Sequence, residues 1–576
     1  MLAGALKNVP ALLVPVAMAW VLAAVGMAPS RAVAVLTVGL VAGLCIAARV
    51  GPAGWDDPRA WMAALIAWCC LDAALRPVAV TDAAACVTVG AVALGLAWVC
   101  VAPRVAAWGR TAVVAAGCSA AGWLIAERLL AAGRPAGPFG NPNLAATVAL
   151  LALALVPLVK LPGSLRAVML TVVAGGVVAS GSRGALLGAA AVALAWMGAV
   201  RGAARIRLAA GVLVVVAGLG LAFRLHSDRD PLRWERVRIW AVALRVARAE
   251  LPLGCGPGGY ADAAMAHNFP RDGEYARFSR IPDLAESDLL QAAATLGLPG
   301  TMLLVGLSVS LVRRMSTGSR WGWGVLAALA VTSAVNSQLM VPAVAWTATL
   351  AVAGALPRAR RGPQRGRSAG RVAIVGVLAV AAGAVLAVPD WGAGEPPEVL
   401  VDRADSILHA RSRDDNALAD GEALAWSGCS ARPLYGRGWR VLGSVRLTRA
   451  SLRREAELAW AAANAFASAR RADPNDALAA LGQGQALRLV NDTAGAWQAV
   501  RTAAALEPNL VAAWLEQSVL YLSAGQIGAA REALGHAEAA ARRARGVAFV
   551  SDYERALASA DPTIVARLRA ATGRTP

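Results

Sequence analysis

Arg233-Trp-Glu-Arg-Val-Arg-Ile-Trp240, Pro252-Leu-Gly-Cys-Gly-Pro-Gly-Gly-Tyr260 and Glu286-Ser-Asp288 mark one stretch, residues 226–288, where a largely apolar chain turns polar. His267 and Glu274 fall in the same interval. On either side, nearly everything from Pro10 to Leu356 reads as apolar helix of membrane-spanning length. A multi-span protein that gathers its ionisable groups in one loop does its chemistry there. That pattern points to a membrane enzyme rather than a passive anchor.

The composition agrees. The chain has 576 residues, 58% hydrophobic and 16% charged, which places it in the membrane class. A span needs about 20 apolar residues, and on that measure the sequence offers about thirteen candidates. Nine precede the loop (10–27, 32–48, 60–75, 79–101, 106–126, 144–160, 165–180, 184–200 and 207–224). Three follow it (289–312, 321–338 and 341–356), and one more lies at 372–388. The fold expected is all-α: a polytopic helical membrane protein of about 12–13 spans. Lys7 precedes the first span, but no small-residue cleavage site follows, so that span is expected to be retained.

The net charge of +20 is a topology signal and requires no nucleic-acid partner. Lys and Arg cluster in alternate loops, including Arg104/Arg110, Lys160/Arg166, Arg201/Arg205/Arg207 and Arg313/Arg314/Arg320. The positive-inside rule makes those loops and the N-terminus cytoplasmic. Loop 226–288 and the C-terminal third then lie on the outer, periplasmic side. Of eight cysteines, six sit in or beside spans as small apolar residues. Cys255 and Cys429 fall in outer segments, where pairing is open to them; no CxxC or Cys/His metal spacing occurs.

Residues 1–356 thus form a membrane core, 357–371 a basic cytoplasmic linker and 372–388 a thirteenth span. Residues 395–570 form an Ala-rich extramembrane helical region. Asp473-Pro474 and Glu507-Pro508 there carry prolines 34 residues apart, the tetratricopeptide period. On that register Ala462, Ala469, Gly484, Ala496, Ala503, Ala530 and Ala537 fall at the small-residue positions where paired helices approach. A tetratricopeptide-like domain would bind protein partners rather than catalyse.

Four elements could carry chemistry. Gly137-Pro-Phe-Gly-Asn-Pro-Asn143 is at least a tight turn, shaped by Asn141 and Asn143. Arg183, in Ser180-Gly-Ser-Arg-Gly184, stands between apolar runs, either snorkelling or holding an anion. Arg236 and Arg238 offer guanidinium forks suited to phosphate, and Gly256 and Gly258 let backbone N–H groups approach an anion. Glu286 is placed to act as a base towards a hydroxyl, whereas Ser287 and Asp288 also suit a plain helix cap.

In order and spacing these elements resemble the O-antigen ligase/polymerase family of membrane glycosyltransferases over about residues 100–340. The resemblance is carried by Phe139-Gly-Asn-Pro-Asn-Leu-Ala145, Ser182-Arg-Gly184, and the Arg236…Trp240…Pro252-Leu-Gly…Gly256-Pro-Gly258 run. Leu290-Gln291 with Gly297-Leu-Pro-Gly300 completes it. It implies about twelve spans, a large external loop between the ninth and tenth, and in many relatives C-terminal tetratricopeptide repeats. It further implies transfer of a glycan from undecaprenyl diphosphate to an acceptor glycan, lipid A core or other hydroxyl at the bacterial inner membrane. Arg183 and Arg236 would hold the diphosphate, and no metal, cofactor or nucleotide sugar is needed. The family usually has His-Asn or His-Ser where this chain has Glu286-Ser287. Either Glu286 replaces the histidine as base, as an acid does in related peptidoglycan polymerases, or His267 reaches in from earlier in the loop, or the protein is inactive.

Two other classes compete. A transporter or flippase of lipid-linked glycans would need ionisable groups near the bilayer midplane, where Asp72 is the main candidate. A scaffold that recruits partners through its repeats would need one anchoring helix and leaves the other spans unexplained.

Overall fold

The computed structural model describes residues 56–75, 90, 93, 95–97, 100, 103–130, 135–199, 211, 218, 235–316, 321–357, 395, 397–410, 414–549 and 551–573. Every regular element among them is helical. The spans expected at 10–27, 32–48 and 372–388, most of those at 79–101 and 207–224, and nearly all of the basic linker lie outside the described residues. The chain divides into two units: residues 1–258 with 284–392, and residues 259–283 with 393–576. The polar stretch 226–288 is therefore split between them.

The first unit contains α1 (Pro58–Leu75), α2 (Pro103–Leu130), α3 (Pro142–Leu155), α4 (Gly163–Ala179), α5 (Arg183–Ala199) and α6 (Glu235–Ala249). It continues, after the short α7 (Tyr260–Met265) of the other unit, with α8 (Asp288–Ser316), α9 (Gly322–Val335) and α10 (Pro342–Ala355). Among the described residues, Val105–Leu130 and Asp288–Ser316 are long and apolar enough to cross a membrane, and five shorter helices are apolar too. Helix α3 is the centre of the unit, with residues 145–156 almost wholly buried. Small residues let its neighbours close in. A Cβ on Gly117 would lie 2.1 Å from Ala152 Cβ, and one on Gly176 only 2.4 Å from Ala121.

Helix α8 shows the opposite surface. Leu298, Met302, Val305, Val309 and Val312 recur at helical spacing and are 43–62% exposed. A continuous apolar stripe of this length suits lipid rather than water.

The same helix is broken. Gly297 has φ 62° and ψ −158°, a conformation essentially confined to glycine, and Pro299 follows without an N–H. The backbone carbonyls freed by the kink find donors: Cys255 N–H to Ala294 O (2.8 Å) and Gly256 N–H to Thr295 O (2.8 Å). Leu298 N–H returns to Pro252 O at 2.8 Å, and the Trp68 indole donates to Leu296 O at 3.0 Å. Within an apolar bundle such groups cannot be left to water. The insertion requires glycine on both sides, since a Cβ on Gly254 would lie 2.5 Å from Gly297 N and one on Gly297 2.2 Å from Leu253 C.

The second unit joins residues 259–283, with α7, to α11 (Pro397–Leu408), α12 (Asp415–Ala431), α13 (Gly436–Arg453), α14 (Ala456–Ala472), α15 (Ala477–Leu489), α16 (Thr493–Leu506), α17 (Val511–Ser523), α18 (Ile527–Arg543), α19 (Asp552–Ala558) and α20 (Pro562–Thr572). Successive helices pair from α11 to α18. Asp414, Asp476, Asp492, Ser551 and Asp561 cap helix starts with their side chains. Ala462, Ala469, Ala496, Ala503, Ala530 and Ala537 are all buried, at 1% exposure or less. At Gly484 a Cβ would meet Val500 at 2.5 Å.

Candidate functional site

The site is organised by a break between two apolar helices. Helix α9 ends at Val335 because Asn336 is extended (φ −147°, ψ 146°), and Val341 is extended again before Pro342 opens α10. Between them Asn336-Ser337-Gln338 place polar side chains, all nearly fully buried, in an otherwise apolar stretch. Each must find a partner there.

Those partners come from the other elements of the unit. Gln338 Nε2 donates to Thr332 Oγ1 at 2.6 Å, and its Oε1 accepts from Thr147 Oγ1 at 2.7 Å. Thr147 lies one turn beyond Asn143, whose carbonyl is also within its reach at 3.0 Å. Ser287 N–H donates to Ser337 Oγ at 3.0 Å, and Leu339 N–H to Asp288 Oδ1 at 3.0 Å. Arg236 Nη2 donates to Asn336 Oδ1 at 3.0 Å. The first turn of α5, which begins with Arg183, packs on the same asparagine. A Cβ on Gly184 would sit 3.2 Å from Asn336 Nδ2 and 2.8 Å from Val335 Cγ2. Glycine beside the arginine is what lets the helix start approach.

Glu286 closes the group. It has φ 51°, uncommon for a residue with a side chain, and its carbonyl accepts from the Trp240 indole at 3.1 Å. The neighbouring Ala285 N–H donates to buried Gln291 Oε1 at 2.8 Å. Glu286 Oε2 lies 3.6 Å from Arg236 Nη2, and both side chains are about one-third exposed. The pair is long and partly solvated, so it holds weakly and is open to exchange.

The structure thus brings Arg236, Glu286 and the Arg183 helix start around one polar break, which Asn143 meets only through its carbonyl on Thr147. Arg238 lies exposed on α6, two residues past Arg236. Asn141 is exposed and caps α3, its Oδ1 accepting from Asn143 N–H at 2.9 Å. Gly256 and Gly258 adopt φ of 90° and 81° in the segment that serves the α8 kink. His267 belongs to the second unit, in the turn after α7, where its N–H donates to Ala264 O. Cys255 and Cys429 are both buried thiols.

Sequence reasoning missed Asn336, Ser337 and Gln338. Their signal was present, as three polar residues in succession between apolar runs, but it reads equally as a turn between two spans.

Next to this network the unit lines a partly open cavity of about 550 Å3. Met62, Leu65, Ile66 and Leu304 are among its mainly apolar walls, and Asp288, Gln291 and Gly258 contribute polar groups. Arg59, Arg110 and Arg314 also line it. Asp288 and Leu339 therefore belong both to the polar break and to the cavity wall.

The first unit is thus an apolar helical bundle with a buried polar break and arginines at its edge, a fold compatible with a helical membrane protein. Residues 167–305 match the family model described as O-antigen ligase. Over that interval the chain is similar to O-antigen ligases, and the matched residues include Arg183, Arg236, Glu286 and the Gly297 kink. Asn336 and Asn143 fall outside it. No match was found among curated proteins.

Proposed function

We propose that this protein transfers a glycan from an undecaprenyl-diphosphate donor to an acceptor hydroxyl at the periplasmic face of the inner membrane, as a ligase or polymerase. The observation that carries the reading is Arg236 shared between Asn336 and Glu286, with the Arg183 helix start packed on the same asparagine. The diphosphate would displace the weak Glu286 contact and take the guanidinium fork in its place. That exchange turns the Glu286 carboxylate from the guanidinium towards the acceptor. The acceptor oxygen then attacks the anomeric carbon, its proton passes to Glu286, and the bond to the diphosphate oxygen breaks. Arginines held by the fold stabilise the charge on the leaving diphosphate, the role a metal would otherwise fill. The apolar cavity suits part of the polyprenyl tail. His267, earlier in the loop, is a secondary candidate for the base.

The helix pairs of residues 397–543 and their buried alanines support a tetratricopeptide-like reading of the C-terminal domain. The basic loops support placing that domain in the periplasm.

The test is glycan transfer in reconstituted membranes by Arg183→Lys, Arg236→Lys, Glu286→Gln and His267→Ala. The first three should each lose about a hundredfold or more at near-normal protein levels, and His267→Ala should stay within a few-fold of wild type. Activity retained by Glu286→Gln and lost by His267→Ala would reverse the roles.

A further inference from the structure

Within the second unit, two anchors fasten residues 259–283 to the C-terminal helices. Asp262, only 5% exposed, receives a two-pronged contact from Arg432: Nε to Oδ2 at 2.7 Å and Nη2 to Oδ1 at 3.0 Å. Arg432 also pairs with Glu398, and Asn475 Nδ2 donates to Met265 O at 3.3 Å. The other anchor is Glu507, which is wholly buried. Arg277 N–H donates to its Oε2 at 2.8 Å and Phe278 N–H to its Oε1 at 2.9 Å. Asn509 Nδ2 donates to Tyr275 O at 2.7 Å. The Arg277 guanidinium reaches Ala505 O and Leu506 O, carbonyls of the last turn of α16.

Between these contacts Ala276 is 1% exposed and sits in a cluster with Ala477, Ala480, Ala503, Leu510 and Leu557. The Tyr275 ring packs beside Phe549, with centroids 5.4 Å apart. Burial raises the Glu507 carboxyl above its ordinary range, and the two backbone N–H groups pull the other way by favouring its charged form. A buried carboxylate facing two successive amides, beside a small residue buried among alanines, is the chemistry of a site for a peptide turn, and residues 274–278 run as bends and a turn there.

We propose that the C-terminal helical unit is a peptide-binding module whose ligand is the chain's own segment 274–278, Glu-Tyr-Ala-Arg-Phe. Glu507 and Asn509 read the main chain, the alanine cluster selects a small residue at position 276, and the end of α16 takes the arginine. Because the ligand is tethered, modest intrinsic affinity keeps the groove filled. This groove therefore serves the loop, not an outside partner.

The experiment uses the full chain in detergent. Trypsin should cut after Arg277 and Arg280 slowly in wild type, and at least tenfold faster in Glu507→Ala and in Ala276→Glu. Cleavage within α16–α18 should stay unchanged, showing that the helices remain folded. A labelled synthetic peptide with the sequence of residues 272–280 should bind Ala276→Glu, whose groove is vacated but intact. It should fail to bind wild type, whose groove is filled, and Glu507→Ala, which lacks the acceptor. Cleavage after Arg277 equally fast in all three proteins overturns the proposal, as does equal peptide binding by Ala276→Glu and Glu507→Ala.

Discussion

Two pieces of one polar stretch are held in opposite ways. Residues 252–256 are bound to α8 through main-chain hydrogen bonds, with glycine at the points of contact. Residues 275–278 are bound to α16 and the turn after it chiefly through the Glu507 and Asn509 side chains. The difference follows from the surroundings. In an apolar bundle an inserted carboxylate would be costly, so neutral amides serve the freed carbonyls. In the second unit, Arg432, Arg440, Arg446 and Arg449 stand among Asp and Glu partners, and side-chain recognition is sustainable. The first kind of contact should therefore fail on adding one methyl group and ignore pH. The second should answer to charge and pH.

The largest effect expected is from Gly297→Ala, which adds a Cβ at 2.2 Å from Leu253 C in a conformation closed to alanine. A loss of roughly 2–6 kcal/mol should appear as a collapse in folded yield and a lower unfolding temperature in detergent. Gly140→Ala is the matched control, since Gly140 also has positive φ but no atom lies within 4 Å of its Cβ position. It should cost only about 1 kcal/mol. Equal losses at the two sites would mean that the close approach to residues 252–253 matters little.

Next comes Arg432→Ala, which leaves Asp262 buried without its cation. Breaking such a pair typically costs about 3–5 kcal/mol, visible as earlier thermal unfolding of the second unit. Replacing Arg432 and Asp262 together by apolar residues should recover much of that loss, because no charge is then stranded.

A smaller effect concerns Asp473, whose carboxyl is pushed up to about 7 by burial and then by neighbouring Asp476. A raised folded value means that its stabilising contribution is complete below about pH 3.8 and is lost as pH rises through about 7. Melting of the second unit should therefore decline between about pH 4 and 7 and level off above that. Asp473→Asn, which can still accept from Asn475 N–H, should flatten that decline. An unchanged slope would place the titration elsewhere.

The smallest effect is at Asp415, held down to about 2 by hydrogen bonds from Arg449 and then Arg453. Its contribution is present above about pH 3.8 and fades as pH falls towards 2. Asp415→Asn should thus differ from wild type at neutral pH and converge with it in acid, in a denaturant titration run at both.

Much of the site was legible because its residues announce themselves chemically. Arg183 and Arg236 stand out as cations next to apolar sequence, and Glu286 as an acid before a span. Gly297-Leu-Pro-Gly300 signals a broken helix through proline's missing donor. What hid Asn336 is that polar residues between two apolar runs are expected at any turn. Only its contacts with Arg236 and the α5 start distinguish it.

By itself, the sequence determined the helical membrane class, the polar loop and the candidate arginines, because hydropathy and charge act locally and leave a linear trace. Tertiary structure alone decided that residues 252–256 repair the α8 kink, that Asn336 gathers Arg236 and the Arg183 helix, and that Glu507 grips residues 277 and 278. Each of these joins groups from about 40 to about 230 residues apart, and such pairing depends on which buried polar group lacks a partner once the helices are packed.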